Sequence, residues 1–353
     1  MRFEVSRVLD AIEARLTLDP ALARAVVALP EVLRLVDLDG DTGKPASLLR
    51  LGHVLDALGQ HLAEDGVAVY VVADRSVLSD LDLTSNERMV VRRWADDGLV
   101  EVLTEAGDRV LEVAELLGVP VLSRSMFAEY ADRYQWLPRG LLAPGPAGLA
   151  TVGAGTPGPP HSPVLTRVWR CPEPDCPGYG APTGGQPPPR LRAAAPVCPR
   201  HDTRLADAGP RPPARVLALR VDGAVRGRFV VRPEAPVVVG RSPAPSATGT
   251  VVQLGPLLAE AASRWVSRTH LWLELRDGTL VVTDTSTNGT VVQTPSGAVP
   301  LSAGASYGVS NDDVIELYQG VELAAPSKFR GGAARPTSVM AEAPTVAIRL
   351  PRG

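Results

Sequence analysis

A chain of 353 residues with 45% hydrophobic residues is too long for one ordinary core, so two or three domains are expected. Its net charge of −3 conceals an asymmetry: residues 1–138 hold 24 Asp/Glu and 14 Lys/Arg (net −10), and the remainder holds 15 and 22 (net +7). An acidic front half does not by itself attract nucleic acid, no run approaches the roughly 18 apolar residues of a membrane helix, and the start MRFEVSRVLD lacks an apolar export segment. A cytoplasmic protein of bacterial type with no membrane partner is therefore expected, its basic rear half suited to phosphorylated or acidic partners.

The front half alternates helix and strand signals. After an opening amphipathic segment, "DPALARAVVALP" reads as a helix with Asp19 as cap, Pro20 in the first turn and Pro30 as stop. "LRLVDLDG" (33–40) is a strand candidate, and Leu48, Leu51, Leu55, Leu58 and Leu62 recur at helical spacing until Asp65-Gly66. "VAVYVVAD" (67–74) reads as a buried strand. Thr84 to Glu87 form a capping box opening a helix that Gly98 closes; strand "LVEVL", helix "AGDRVLEVAELLG" and strand "VPVLS" follow. Strands separated by helices predict a parallel sheet covered on both faces.

Residues 139–165 turn rich in proline and glycine and read as a flexible linker, closing an α/β domain over 1–138. All three cysteines then fall within one short segment, 166–206, with a histidine beside the last: Cys171, Cys176, Cys198 and His201, spaced C-x4-C-x21-C-x2-H. Four soft or borderline ligands suit a closed tetrahedral zinc ion, and an odd cysteine count argues against disulfides. The expectation is a small zinc ribbon of the Cys3His kind, with zinc in a folding role because no coordination position is left open. Its partner, protein or nucleic acid, is left open.

A second linker is expected at 207–214, and from Arg215 to Ala324 short β runs with turn signals predict an all-β sandwich. Asp277-Gly278 marks a hairpin. Three loop fragments stand out there: Gly240-Arg241 at the end of "VVVGRS", Ser267, Arg268 and His270 in "WVSRTHLWL", and "TSTNGT" at 285–290. A planar guanidinium with hydroxyl and amide donors is what a phosphate dianion requires. In that order and spacing the fragments resemble the forkhead-associated (FHA) domain, over about 110 residues. The resemblance implies phosphothreonine-peptide binding in Ser/Thr kinase signalling, with Arg241, Ser267, Arg268, Thr287 and Asn288 as the binding residues. It also implies structural roles for Gly240, His270 and Gly289.

The front domain resembles PIN/NYN-like ribonucleases over roughly residues 31–136, in the acidic end of "VDLDGD", Asp74 at a second strand end, and "AGDRVLEVAELLGVPVLSRSMFAEY". Such enzymes gather carboxylates at strand ends around magnesium. The resemblance carries this role to Asp37 or Asp39, Asp74 and Asp108, but Ser125 stands where the pattern expects the final acid. Two readings follow. In one, the FHA module is a phosphothreonine-binding adaptor coupled to a PIN-like interaction or RNA-binding scaffold. In the other, a magnesium-dependent ribonuclease is regulated by FHA binding. No G-x-x-x-x-G-K-[ST] phosphate loop is present, so an ATPase is not expected. The last 29 residues read as disordered. They carry Thr337 and Thr345, each with an aliphatic residue three places on, as candidate phosphorylated ligands for the chain's own FHA domain.

Overall fold

The computed structural model describes residues 2–41, 43–153, 162–180, 185–244, 249–329 and 338–342. In the front third, α1 (Arg2–Glu13) leads to β1 (Ala23–Ala28), the short α2 (Leu29–Val32), α3 (Leu49–Leu62), β2 (Ala68–Asp74), α4 (Ser85–Asp96) and β3 (Glu101–Leu103). Then come α5 (Arg109–Leu117), β4 (Val121–Leu122), β5 (Leu141–Gly145) and β6 (Gly148–Thr151). The strands form one sheet in the order β3-β2-β1-β4-β5-β6, parallel except for the β5–β6 hairpin. Successive strand residues point to opposite faces. Val27 and Val71 therefore pack with α1, α3 and α4 (Leu9, Leu55, Trp94), while Val26 and Val72 pack with α5 (Leu111, Ala114). The capping box forms as expected, and the buried Glu87 carboxylate also accepts the Leu48 N–H at 2.8 Å, tying α4 to the start of α3.

Three segments depart from the sequence reading. "DPALARAVVALP" is a turn, a strand and a helix start: Asp19 holds the Ala21 N–H at 3.0 Å in a local turn, and Pro30 sits in the first turn of α2, where its missing N–H costs nothing. The paired valines decide the matter, because Val26 and Val27 are both fully buried on opposite faces of the sheet. "LRLVDLDG" consequently forms no strand. Asp37 and Asp39 lie in the turns after α2, and the first strand ends at Ala28. Residues 141–151, expected within a linker, complete the sheet, with Leu141 and Leu142 buried on it.

The cysteine segment contains β7 (Arg167–Arg170), β8 (Arg190–Arg192), β9 (Ala195–Val197) and β10 (Ala206–Pro210), arranged as antiparallel pairs β7–β10 and β8–β9. β10 runs into the expected second linker; Gly209, at φ +119°, bulges the strand so that Pro210 still pairs with Arg167. The rear third comprises β11 (Arg215–Val221), β12 (Ala224–Val231), β13 (Val237–Gly240), β14 (Thr250–Gln253), α6 (Glu260–Trp265), β15 (Leu271–Arg276) and β16 (Thr279–Asp284). It ends with β17 (Thr290–Thr294), β18 (Gly297–Leu301), β19 (Ser306–Val309), β20 (Val314–Tyr318) and β21 (Val321–Ala324). These build the expected sandwich from two sheets, β12-β11-β21-β20-β17-β18 and β14-β13-β15-β16-β19. Leu219, Val239, Leu273, Val282, Ile315 and Leu323 fill the space between them. Asp277 and Gly278 take φ of +49° and +77°, the twist-matched hairpin turn.

The parts pack directly on one another. The Asp65 N–H donates to the Val225 carbonyl at 2.8 Å, Arg228 pairs with Glu64, Arg226 with Asp65, and Arg232 with Asp19 at 2.6 Å. Gly66 lies so close that a Cβ there would stand 2.3 Å from the Gly227 Cα. The charge asymmetry of the sequence is thus partly spent inside the molecule, β12 cations meeting front-domain acids.

The cysteine segment is held by Arg109. Fully buried, it pairs with Glu101 at 3.0 Å and Glu112 at 2.7 Å and donates to the carbonyls of Pro188 and Pro189, while Glu112 accepts the Leu191 N–H at 2.6 Å. Removing this guanidinium strands two buried carboxylates. Arg109→Ala is expected to cost about 3–5 kcal/mol, read as a lowered denaturation midpoint; a midpoint unchanged from wild type would contradict the arrangement.

Candidate functional site

Three loops at one end of the sandwich converge. β13 ends at Gly240, whose backbone lies against the loop before β15: a Cβ there would be 2.1 Å from the Arg268 carbonyl oxygen, so only glycine fits. The contact is zipped by Arg241 N–H to Ser267 O at 2.9 Å and Ser242 N–H to Arg268 O at 3.2 Å. The third loop, 285–289, joins through the Thr287 N–H on Ser267 Oγ (3.1 Å) and Asn288 Nδ2 on the Trp265 carbonyl (2.8 Å). Within it, buried Asp284 accepts the Ser286 N–H at 2.8 Å and Thr290 Oγ1 at 3.2 Å, and Ser286 Oγ takes the Gly289 N–H at 2.8 Å. Gly289, at φ +85°, makes the turn that a side chain would strain. The hydroxyl-rich run "TSTNGT" is therefore divided between an inner scaffold (Ser286, Thr290) and an outer face (Thr285, Thr287, Asn288).

The result is an open groove of about 800 Å³ lined by Arg241, Ser242, Ser267, Arg268, Thr287 and Asn288, together with Thr269, Thr285, Arg264 and Trp265. All five binding residues expected from sequence meet here. No carboxylate is among the lining residues, and among the described residues neither Arg241 nor Arg268 forms an ion pair. Such a surface presents cations, hydroxyls and an amide to an anion without internal competition. Trp265, 44% exposed, stands at the rim beside Tyr318 with ring centroids 5.9 Å apart. Ser242, Arg264, Trp265 and Thr285 were not legible as site residues; their signal is only adjacency to the motifs.

His270 is fully buried behind the groove. Its Nδ1 accepts the Ser267 N–H at 3.1 Å, which requires that nitrogen to be unprotonated, while its backbone bridges Val239 O and the Thr285 N–H at 2.9 Å each. Burial lowers its pKa, against an opposing pull from Asp284 and the Gly289 backbone. The neutral imidazole thus holds the loop before β15, while the His270 backbone ties that loop to β13 and to the start of the 285–289 loop.

In the cysteine segment, Cys171, Cys176, Cys198 and His201 gather with their ligand atoms all within 4.8 Å of one another. Cys171 Sγ and Cys198 Sγ lie 3.5 and 3.6 Å from His201 Nδ1, and Cys176 Sγ lies 3.8 Å from Cys198 Sγ. Bond lengths of about 2.3 Å to sulfur and about 2.0 Å to nitrogen at tetrahedral angles give edges of roughly 3.8 and 3.5 Å, so the cluster has the size of a zinc site. Burial pushes the Cys198 thiol up to about 12. A thiol so raised ionises at neutral pH only with a cation to hold it.

The front-domain acids do not gather. Asp37 pairs with Arg124 at 2.7 Å, Asp39 with Arg50 at 3.0 Å, and Asp108 with Arg133 and the Tyr134 hydroxyl at 2.8 Å. Asp74, at the end of β2, accepts the Ala106 N–H at 2.6 Å. Among the described residues the cysteine cluster is the one set of three or more acid, cysteine or histidine ligands close enough to share an ion, so no magnesium site is formed by these four. Beyond β1 and β4, where open α/β sheets bind ligands, Glu31 instead accepts Ser123 Oγ at 2.6 Å and the N–H groups of Arg124 and Ser125 at 2.5 and 3.1 Å. Ser125, at the position where the resemblance expects an acid, gives that carboxylate only its backbone N–H, the side-chain bond coming from Ser123. No helix among the described residues is long and apolar enough to cross a membrane.

No family model matches the sequence, and no curated protein matches it. Solved structures similar to the chain are FHA domains covering about a third of it. The FHA domain of human APLF, in complex with an XRCC1 bisphospho peptide, is 20% identical over 31% of this chain and 98% of its own, with a TM-score of 0.23. The FhaA FHA domain complexed with the intracellular domain of Rv3910 is 24% identical over 31% and 97%, TM-score 0.21. That of a hypothetical protein of Arabidopsis thaliana is 20% identical over 36% and 92%, TM-score 0.24.

Two outcomes follow from this geometry. Metal analysis is expected to find one zinc per chain, lost in Cys198→Ser; a folded, metal-free cysteine segment would contradict the site. Because His270 is held neutral, the folded state resists its protonation, and stability is expected to be full above about pH 6.5 and to fall as pH drops below it. A His270→Gln variant would show less of this acid sensitivity in thermal melts, whereas an identical pH profile would remove His270 as its source.

Proposed function

We infer that the chain is a phosphothreonine-peptide-binding adaptor acting downstream of a Ser/Thr kinase, in which an FHA module is coupled to a PIN-like front domain. The observation that carries this reading is the convergence of Arg241, Ser267, Arg268, Thr287 and Asn288 on one groove that no carboxylate lines. Arg241 and Arg268 supply the charge, Ser267 and Thr287 the hydroxyl donors, and Asn288 an amide for the ligand backbone. Each charge-assisted hydrogen bond contributes roughly 1.5–3 kcal/mol, but ordering the peptide opposes the sum, so a micromolar affinity, about −8 kcal/mol, is expected.

The front domain serves in this reading as a scaffold. Its acids are engaged by Arg50, Arg124 and Arg133, which leaves the ribonuclease reading with no observation in its favour. The contacts of β12 with Glu64 and Asp65, and of Arg232 just after it with Asp19, give the coupling a physical path, since a partner held in the groove is brought to a fixed position beside that domain. The candidate self-ligands Thr337 and Thr345 lie outside the described residues.

The full chain is expected to retain phosphothreonine peptides from a library with micromolar affinity, and Arg241→Ala to weaken this at least tenfold. Equal retention of the unphosphorylated peptides would overturn the reading.

A further inference from the structure

Residues Ser338–Glu342 return from the far end of the chain to the front domain and dock between α1 and α3. Val339 is 7% exposed and belongs to the same buried cluster as Ile12, Leu51 and Leu55, and Met340 packs against it. Met340 enters a notch opened by a glycine: a Cβ on Gly52, in the interior of α3, would stand 2.5 Å from its sulfur. Glycine weakens a helix interior, so its presence there is explained by what it admits. One turn further along α3, the Asp56 carboxylate accepts the N–H groups of Val339 and Met340, at 2.5 and 3.2 Å, and the Ser338 hydroxyl. Notch and acid together form a receptor for a Ser-Val-Met segment.

We propose that this segment is a reversible latch and that Ser338 is the modification site that opens it. The surroundings of Ser338 are acidic: Asp56, Glu64 and Asp65 line the small pocket it shares with Val339. Glu64 and Asp65 already hold Arg228 and Arg226, and Asp56 holds the latch itself. A protein kinase acting on the undocked fraction transfers the γ-phosphoryl group of a nucleoside triphosphate to Ser338 Oγ. The new O–P bond replaces the bridge to the nucleoside diphosphate, which leaves, and the hydroxyl proton is released. The dianion cannot then return to a carboxylate that needs a donor at that position. Arg15 is near enough to interact with Asp56 and Asp65 but does not line the pocket.

Hydrogen exchange on the full chain tests this, with phosphoserine installed at position 338 by genetic encoding. In the unmodified chain the amides of residues 339–341 are expected to exchange at least tenfold more slowly than in the free peptide of the same sequence. Phosphoserine is expected to abolish that protection while α3 amides stay protected. Ser338→Ala retains most of it, because the backbone and apolar contacts survive, and Asp56→Asn restores part of it to the phosphorylated chain. A phosphorylated chain protected as well as the unmodified one, or better through capture of the phosphate by Arg15, would overturn the proposal. So would free-peptide exchange in the unmodified chain.

Discussion

The site depends on one close backbone approach, that of Gly240 to the carbonyl of Arg268. With that contact made, two backbone hydrogen bonds bring Arg241 beside Ser267 and Arg268, and the imidazole of His270 fixes the same loop from within. The 285–289 loop then closes through Ser267 Oγ and Asn288. The groove's donors are ordered by protein–protein bonds before any ligand arrives. In the proposed function, such preorganisation confines the entropic cost of binding largely to the peptide.

Electrostatics extends the same logic across the chain. Several arginines are engaged by acids elsewhere: Arg226, Arg228 and Arg232 by those of the front domain, Arg109 beneath the cysteine segment, Arg50 and Arg124 by the acids that sequence resemblance proposed as magnesium ligands. The groove differs because its Arg241 and Arg268 face no carboxylate. The acidic front and basic rear of the sequence thus meet, in part, through internal contacts.

Much of this was readable beforehand, for specific reasons. The three loop fragments of the sandwich are legible because each does something only its residue type can do: glycine where a Cβ cannot fit, histidine as a buried acceptor, hydroxyls divided between scaffold and surface. The cysteine cluster is legible because four ligands in one short segment have few other uses. The front domain misled where local signals conflicted with tertiary context. Asp19 and Pro20 imitate a helix start, and only the burial of Val26 and Val27 on both faces makes the segment a strand. Asp37 and Asp39 resemble strand-end ligands only if 33–40 is a strand, whereas the first strand is Ala23–Ala28. The docked tail leaves no comparable mark in the sequence, because the space that Met340 fills beside Gly52 exists only once α3 is formed.

The most direct measurement is an NMR titration of the full chain with a short phosphothreonine peptide, following backbone amides and arginine Nε–H signals. The account predicts that Gly240–Ser242, Ser267–Arg268 and Thr285–Asn288 shift together along a single saturation curve, and that the unphosphorylated peptide leaves them unmoved. Saturable shifts confined to another face, such as the arginines of β12, with the three loops silent, would contradict it.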